Sequence, residues 1–83
     1  MARCDKLLQK AKTAPHSLRF EELCALAKCF GWALTRQNGS HHVYVNPDLT
    51  TVQGRRKVFN TWRNGMAAEY QVTDLLDSIE GLT

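Results

Sequence analysis

Apolar residues recur along the chain with two different periods. Phe20, Leu23, Cys24, Ala27 and Phe30 stand at i, i+3, i+4, i+7 and i+10, which is one face of a helix. Glu21 and Glu22 fall in its first turn, where the helix dipole favours anions, and Gly31 follows where a C′ glycine is expected. Val72, Leu75, Leu76 and Ile79 mark a second helical face, closed by Gly81. A weaker stripe of Leu7, Leu8 and Ala11 predicts a short N-terminal helix between Cys4 and Lys12, stopped by Pro15. Between the helical segments the pattern changes to β-branched and aromatic runs. Trp32 to Gln37, His41 or His42 to Asn46, and Lys57 to Trp62 read as three strands, with Pro47 closing the second. Asn38-Gly39 is a hairpin signal, since both residues tolerate positive φ. Asp48 to Arg56 is polar with a turn at Gly54, and Thr51-Val52 is a candidate local extension of the sheet. The order α, α, β, β, β, α, with short β connections and no repeats, predicts a single α+β domain over residues 1–83. Its three-stranded antiparallel sheet carries helices on one face, with an extra short N-terminal helix.

Eighty-three residues support one thin core and no deeply held large cofactor. The net charge of +3 is unevenly spread. Residues 28–68 hold Lys28, Arg36, Arg55, Arg56, Lys57 and Arg63 against Asp48 alone, whereas residues 69–83 hold Glu69, Asp74, Asp77 and Glu80 without a cation. A polyanionic partner for the middle of the chain is the natural inference. Cys4, Cys24 and Cys29 are odd in number and lack C-x-x-C spacing, which predicts free thiols in a reducing cytosol and no zinc ribbon. No stretch approaches the length of a membrane span, so a cytoplasmic protein is expected.

Candidate chemistry concentrates at Arg36-Gln37-Asn38-Gly39-Ser40-His41-His42-Val43-Tyr44. Imidazole, with an ordinary pKa of about 6.5, suits proton transfer near neutral pH, and here it is fixed at a strand start. Adjacent strand residues point to opposite faces, so His41 and His42 do not form a close pair in a regular pleat. The same alternation puts His41 on the side of Val43 and Val45, the expected core side. Two arrangements follow: His41 lifted to solvent at the sheet margin by the turn, or His41 as a hydrogen-bonded core residue. Tyr44 on the opposite face either stacks on a base or covers the sheet. Trp32 and Trp62 read as packing residues, and Arg36 as either a phosphate contact or a solvated cation. The histidines and cysteines show no metal-ligand spacing, so neither a metal nor another cofactor is expected.

The run from Phe30 to Asp48, Phe-Gly-Trp-Ala-Leu-Thr-Arg-Gln-Asn-Gly-Ser-His-His-Val-Tyr-Val-Asn-Pro-Asp, resembles the HicA family, small toxins of bacterial type II toxin–antitoxin pairs. Tyr70-Gln71-Val72, followed by Leu75, Leu76 and Ile79-Glu80, is similar to the C-terminal signature of its longer members. The stretch from Asp48 to Lys57 is longer than in typical members, and Trp62 and Glu69 stand where prolines are common. The resemblance implies a double-stranded-RNA-binding-domain-like fold. It also implies a metal-independent endoribonuclease acting on mRNA, neutralised by a HicB-type antitoxin. By residue matching, His41 takes the catalytic position; His42 matches a position often His, without assigned chemistry. Arg36, Asn38, Ser40, His42, Tyr44, Arg55, Arg56 and Lys57 are the candidate RNA contacts, the last three on electrostatic grounds alone. The alternative is a non-catalytic RNA-binding module of the same fold.

Overall fold

A hairpin is the centre of the chain, and helices are laid against one side of it. The computed structural model describes residues 2–39, 41–49, 55–60 and 65–80. The sequence expectations at Ser40, Thr51-Val52, Gly54, Trp62 and Gly81 lie outside these. Helix α1 spans Ala2–Thr13, α2 Phe20–Cys29 and α3 Glu69–Glu80; strands β1 Ala33–Asn38, β2 His41–Val45 and β3 Arg56–Asn60 form an antiparallel sheet in that order. A 3₁₀ turn, Pro15–Ser17, separates α1 from α2, with Pro15 in its first turn, where no N–H is needed. The expected order of elements is the observed one. Helix α1 runs further in both directions than its sparse stripe suggests, because Leu7 and Ala11 are buried in its packing against α2 and α3.

Helix α2 stops at Gly31 for a geometric reason. The Gly31 N–H bonds the Lys28 carbonyl (3.3 Å) and the Trp32 N–H bonds the Ala27 carbonyl (3.1 Å), the two bonds of a Schellman motif with Gly31 at φ 104°. Beside this turn lies Asn46, which is 1% exposed. Its Nδ2 donates to the Phe30 carbonyl (3.0 Å), and its Oδ1 accepts the Asp48 N–H (3.0 Å). The Asn46 backbone N–H donates to the Arg55 carbonyl at 2.7 Å. One buried amide thus ties the end of α2, the end of β2 and the approach to β3 together.

Tyr44 and Phe59 are the strand residues that enter the core, where they meet Leu18, Leu23, Leu26, Val72 and Leu75. Their rings lie 5.5 Å apart. Val43, Val45 and Val58 are only half-buried on the other side of the sheet. The expected core side of β2 was therefore the wrong one. A tyrosine ring removes far more apolar area from water than a valine side chain, and burying Tyr44 turns the valines out. Its hydroxyl donates to the Cys24 sulfur; burial first, and then this bond, push the Tyr44 phenol well above its ordinary value.

The far edge of the sheet is held to α3. Gln71 is buried; its Oε1 accepts the Asn60 N–H (3.3 Å) and its Nε2 donates to the Val58 carbonyl (3.5 Å). The amide thus occupies a place on β3 where a further strand would bond. Lys57, 5% exposed, reaches Asp74 of α3 at 2.6 Å. At the other end Lys10 of α1 pairs with Glu22 of α2 at 2.9 Å. Partial burial pushes the Glu22 carboxyl up, but the Arg19 backbone N–H and Lys10 outweigh it and hold Glu22 below its usual range. The cysteines depart from the free-thiol expectation: Cys4 and Cys29 form a disulfide, their Cα atoms 5.9 Å apart. Packing of α1 on α2 creates that proximity, which the 25-residue separation does not reveal. Cys24 stays free, its thiol pushed up by burial against weaker opposing effects of Tyr44 and Lys28.

A Cβ at Gly31 would lie 3.0 Å from the Asn46 Nδ2, on a backbone conformation that side chains rarely adopt. Gly31→Ala is expected to destabilise the domain by about 1–3 kcal/mol, lowering Tm by about 4–8 °C for each kcal/mol, measured by thermal and urea unfolding.

Candidate active site

The hairpin turn is closed by the pair Asn38↔His41, and Gly39 enters it at φ 62°. The tight turn therefore begins at Gly39, one residue later than the Asn38-Gly39 signal suggests. Cross-strand partners share a face of the sheet. Asn38, His41 and Asn60 consequently form one row across the three strands on the open face. Arg36, Val43 and Val58 form the next row, and Ala33, Val45 and Arg56 the one beyond it. A bulge between Leu34 and Arg36 restores this alignment after Leu34 pairs with Tyr44 on the helix side. At the bulge the Thr35 hydroxyl donates to the Val43 carbonyl at 3.2 Å.

His41 is thus exposed on a face whose charged strand residues are Arg36 and Arg56, both exposed, over a half-buried floor of valines. The arrangement offers a proton-transfer group, two cations and two amides to a bound anion. Its hydrogen-bond pattern sets the spacing. The Asn60 N–H and Val58 carbonyl both turn outward to Gln71, so His41 and Asn60 are a non-hydrogen-bonded pair, the closer of the two antiparallel types.

The remaining sequence candidates divide by face. His42 points to the helices and meets the Phe20 ring edge-on at 4.9 Å, away from His41. Tyr44 is buried among Cys24 and Phe59, so it covers the sheet and does not present its ring to a base. Lys57, expected among the exposed cations, is instead the buried partner of Asp74. The strand pleat turns it inward beside Tyr44, its partner in the register, and leaves Arg56 outside. Arg55 is exposed at the entrance to β3. Ser40 lies outside the described residues. Among the described residues, no group of three His, Cys, Asp or Glu side chains is placed to hold a metal ion. No described helix is long and apolar enough to cross a membrane. Asn60 was missed by sequence reasoning; only the β2–β3 register marks it.

A three-stranded antiparallel sheet with helices on one face and no described helix on the other is the α+β layout of the double-stranded-RNA-binding-domain type. The match to known families is more specific. Residues 20–60, which span α2 and all three strands, match the HicA toxin of bacterial toxin–antitoxin systems, so the chain carries a domain of the HicA toxin family. Helices α1 and α3 fall outside the matched span. No curated protein and no solved structure gives a significant match to the chain.

The opposite facing of the two imidazoles can be read directly. Phe20→Ala is expected to move the His42 ring-proton resonances by removing the ring current, and to leave those of His41 in place, as followed by proton NMR.

Proposed function

We propose that this domain is an endoribonuclease that cleaves messenger RNA, with His41 as the proton-transfer residue, and that a HicB-type antitoxin neutralises it. The observation that carries this reading is the position of His41: exposed at the head of β2, on the sheet face opposite the helices, with Arg36 and Arg56 on that same face. RNA supplies its own nucleophile. The 2′-oxygen attacks phosphorus, the bond from phosphorus to the 5′-oxygen breaks, and a 2′,3′-cyclic phosphate and a 5′-hydroxyl result. One proton leaves the 2′-hydroxyl and one arrives at the 5′-oxygen. His41 performs one of these transfers, and His42, on the other face, does not perform the second. Arg36 and Arg56 stabilise the charge developing on the phosphate oxygens, with Arg55 reaching the flanking backbone. Asn38 and Ser40 at the turn position the chain of the substrate. No step calls for a metal, and the site of action is the cytoplasm, where messenger RNA is translated.

His41→Ala is expected to reduce cleavage by about 10²–10⁴-fold and to relieve growth arrest, while circular dichroism shows an unchanged fold. A 2′-deoxy substitution at the cleaved nucleotide is expected to stop cutting there without loss of binding. EDTA is expected to leave the rate unchanged. Retention of RNA by wild-type protein with no cleavage under these conditions would favour the non-catalytic module instead.

The open face also sets the salt dependence. Replacing Arg36 and Arg56 together by Ala is expected to weaken single-stranded RNA binding and reduce the slope of log K against log salt by about 1.4, two phosphate contacts' worth. Lys57→Met is expected to leave that slope unaltered, because Lys57 is spent on Asp74. Fluorescence anisotropy over a salt series checks both.

A further inference from the structure

We infer that Asn60 is the positioning residue for His41, its side-chain carbonyl accepting the ring N–H that His41 turns away from the substrate. The inference rests on the reading of His41 as the proton-transfer residue. Three observations converge on Asn60. It is the β3 residue paired with His41. The outward turn of its N–H to Gln71 makes the pair the non-hydrogen-bonded type, which brings Cα atoms to about 4.5 Å and the side chains closer than in the alternate pairs. Its Oδ1 is buried and has no hydrogen-bond partner among the described residues. Buried amide oxygens are rarely left without a donor, and one that is calls for an account.

A histidine that transfers a proton through one ring nitrogen needs the other nitrogen held, or the tautomer and the ring orientation drift. Asn60 supplies an acceptor on the neighbouring strand, in the same row as the exposed His41 ring. Hydrogen bonds of this kind are commonly loose before substrate arrives. Asn38, on the other side of His41 in the same row, is exposed and so has solvent for a partner. A neutral amide also suits the surroundings. The charged strand residues on that face are Arg36 and Arg56, while the packed helices lie on the other face. A carboxylate here would pair with the arginines and bind the imidazolium more strongly, making it a poorer acid. Gln71 completes the arrangement by fixing the Asn60 backbone against α3, so that the amide is presented from a rigid strand.

The experiment is an NMR pH titration of the His41 ring in wild type, Asn60→Ala and Asn60→Asp, paired with pH profiles of RNA cleavage. Loss of the acceptor destabilises the imidazolium, so Asn60→Ala is expected to lower the His41 midpoint and cut kcat by about 10–100-fold. A carboxylate stabilises the imidazolium, so Asn60→Asp is expected to raise the midpoint, recover much of the rate and displace the profile to higher pH. A merely structural Asn60 would leave the midpoint and the profile unmoved in Asn60→Ala, whereas a carboxylate in Asn60→Asp raises the midpoint by its charge in either case. Identical His41 midpoints in wild type and in folded Asn60→Ala overturn the inference even if the wild type cleaves RNA. If Asn60→Ala does not fold, Asn60→Leu, uncharged and without an acceptor, carries the same comparison. Midpoints that move as expected in a wild type that does not cleave RNA would support the pairing and overturn the nuclease reading instead.

Discussion

Burial of the Tyr44 ring decides which way every other residue of the central strand faces. A strand has only two faces, and a shift of one residue exchanges them, so one large side chain committed to the core commits its neighbours. With Tyr44 against Phe59 and hydrogen-bonded to Cys24, His42 is drawn toward Phe20 and His41 is left in solvent. The same parity on β3 sends Phe59 and Lys57 inward and Arg56 and Asn60 outward. The composition of the open face is therefore a by-product of core packing on the other side. A substitution that relaxed the seat of Tyr44 would reach the His41 row without touching it.

Two buried amides hold this orientation. Asn46 joins the glycine turn after α2 to the end of β2, and Gln71 joins α3 to β3, so the sheet is fixed to the helices at opposite ends by polar bonds within an otherwise apolar interior. Such bonds add little net stability compared with burial of the aromatic rings, but they are directional, and a misaligned strand would leave the amides unsatisfied. Lys57 with Asp74 works differently. Asp74 is 60% exposed and stays hydrated, so solvent limits the strength of the pair; its main effect is to spare the buried ammonium an uncompensated charge.

The helices and the order of strands were legible because their signals are local: the stripe from Phe20 to Phe30, the glycine after it, the hairpin residues and the stripe from Val72 to Ile79. The candidacy of His41 could also be read from its turn and from the resemblance of the surrounding residues to a known family. Facing was not. Val43 and Val45 look like core residues until the competing claim of Tyr44 is weighed, and that claim depends on what the helices bring to meet it. Lys57 reads as one of three adjacent cations, and only the pleat separates it from Arg56. The Cys4–Cys29 bond depends on a helix–helix contact, and the His41–Asn60 pair on a strand register, neither of which is encoded in spacing along the chain.

The Gln71 amide has a consequence for how copies of this sheet can meet. A strand's outer edge is a template for another strand, and a sheet with two such edges can be joined into an unlimited ribbon. Here the β3 edge is engaged by a side chain from α3, whereas β1 is exposed along its length and kinked by the bulge at Thr35. Two molecules joined through their β1 edges would use up the accessible edge of each. The geometry admits a closed pair and blocks a growing filament, which limits the self-association open to a small domain at high concentration.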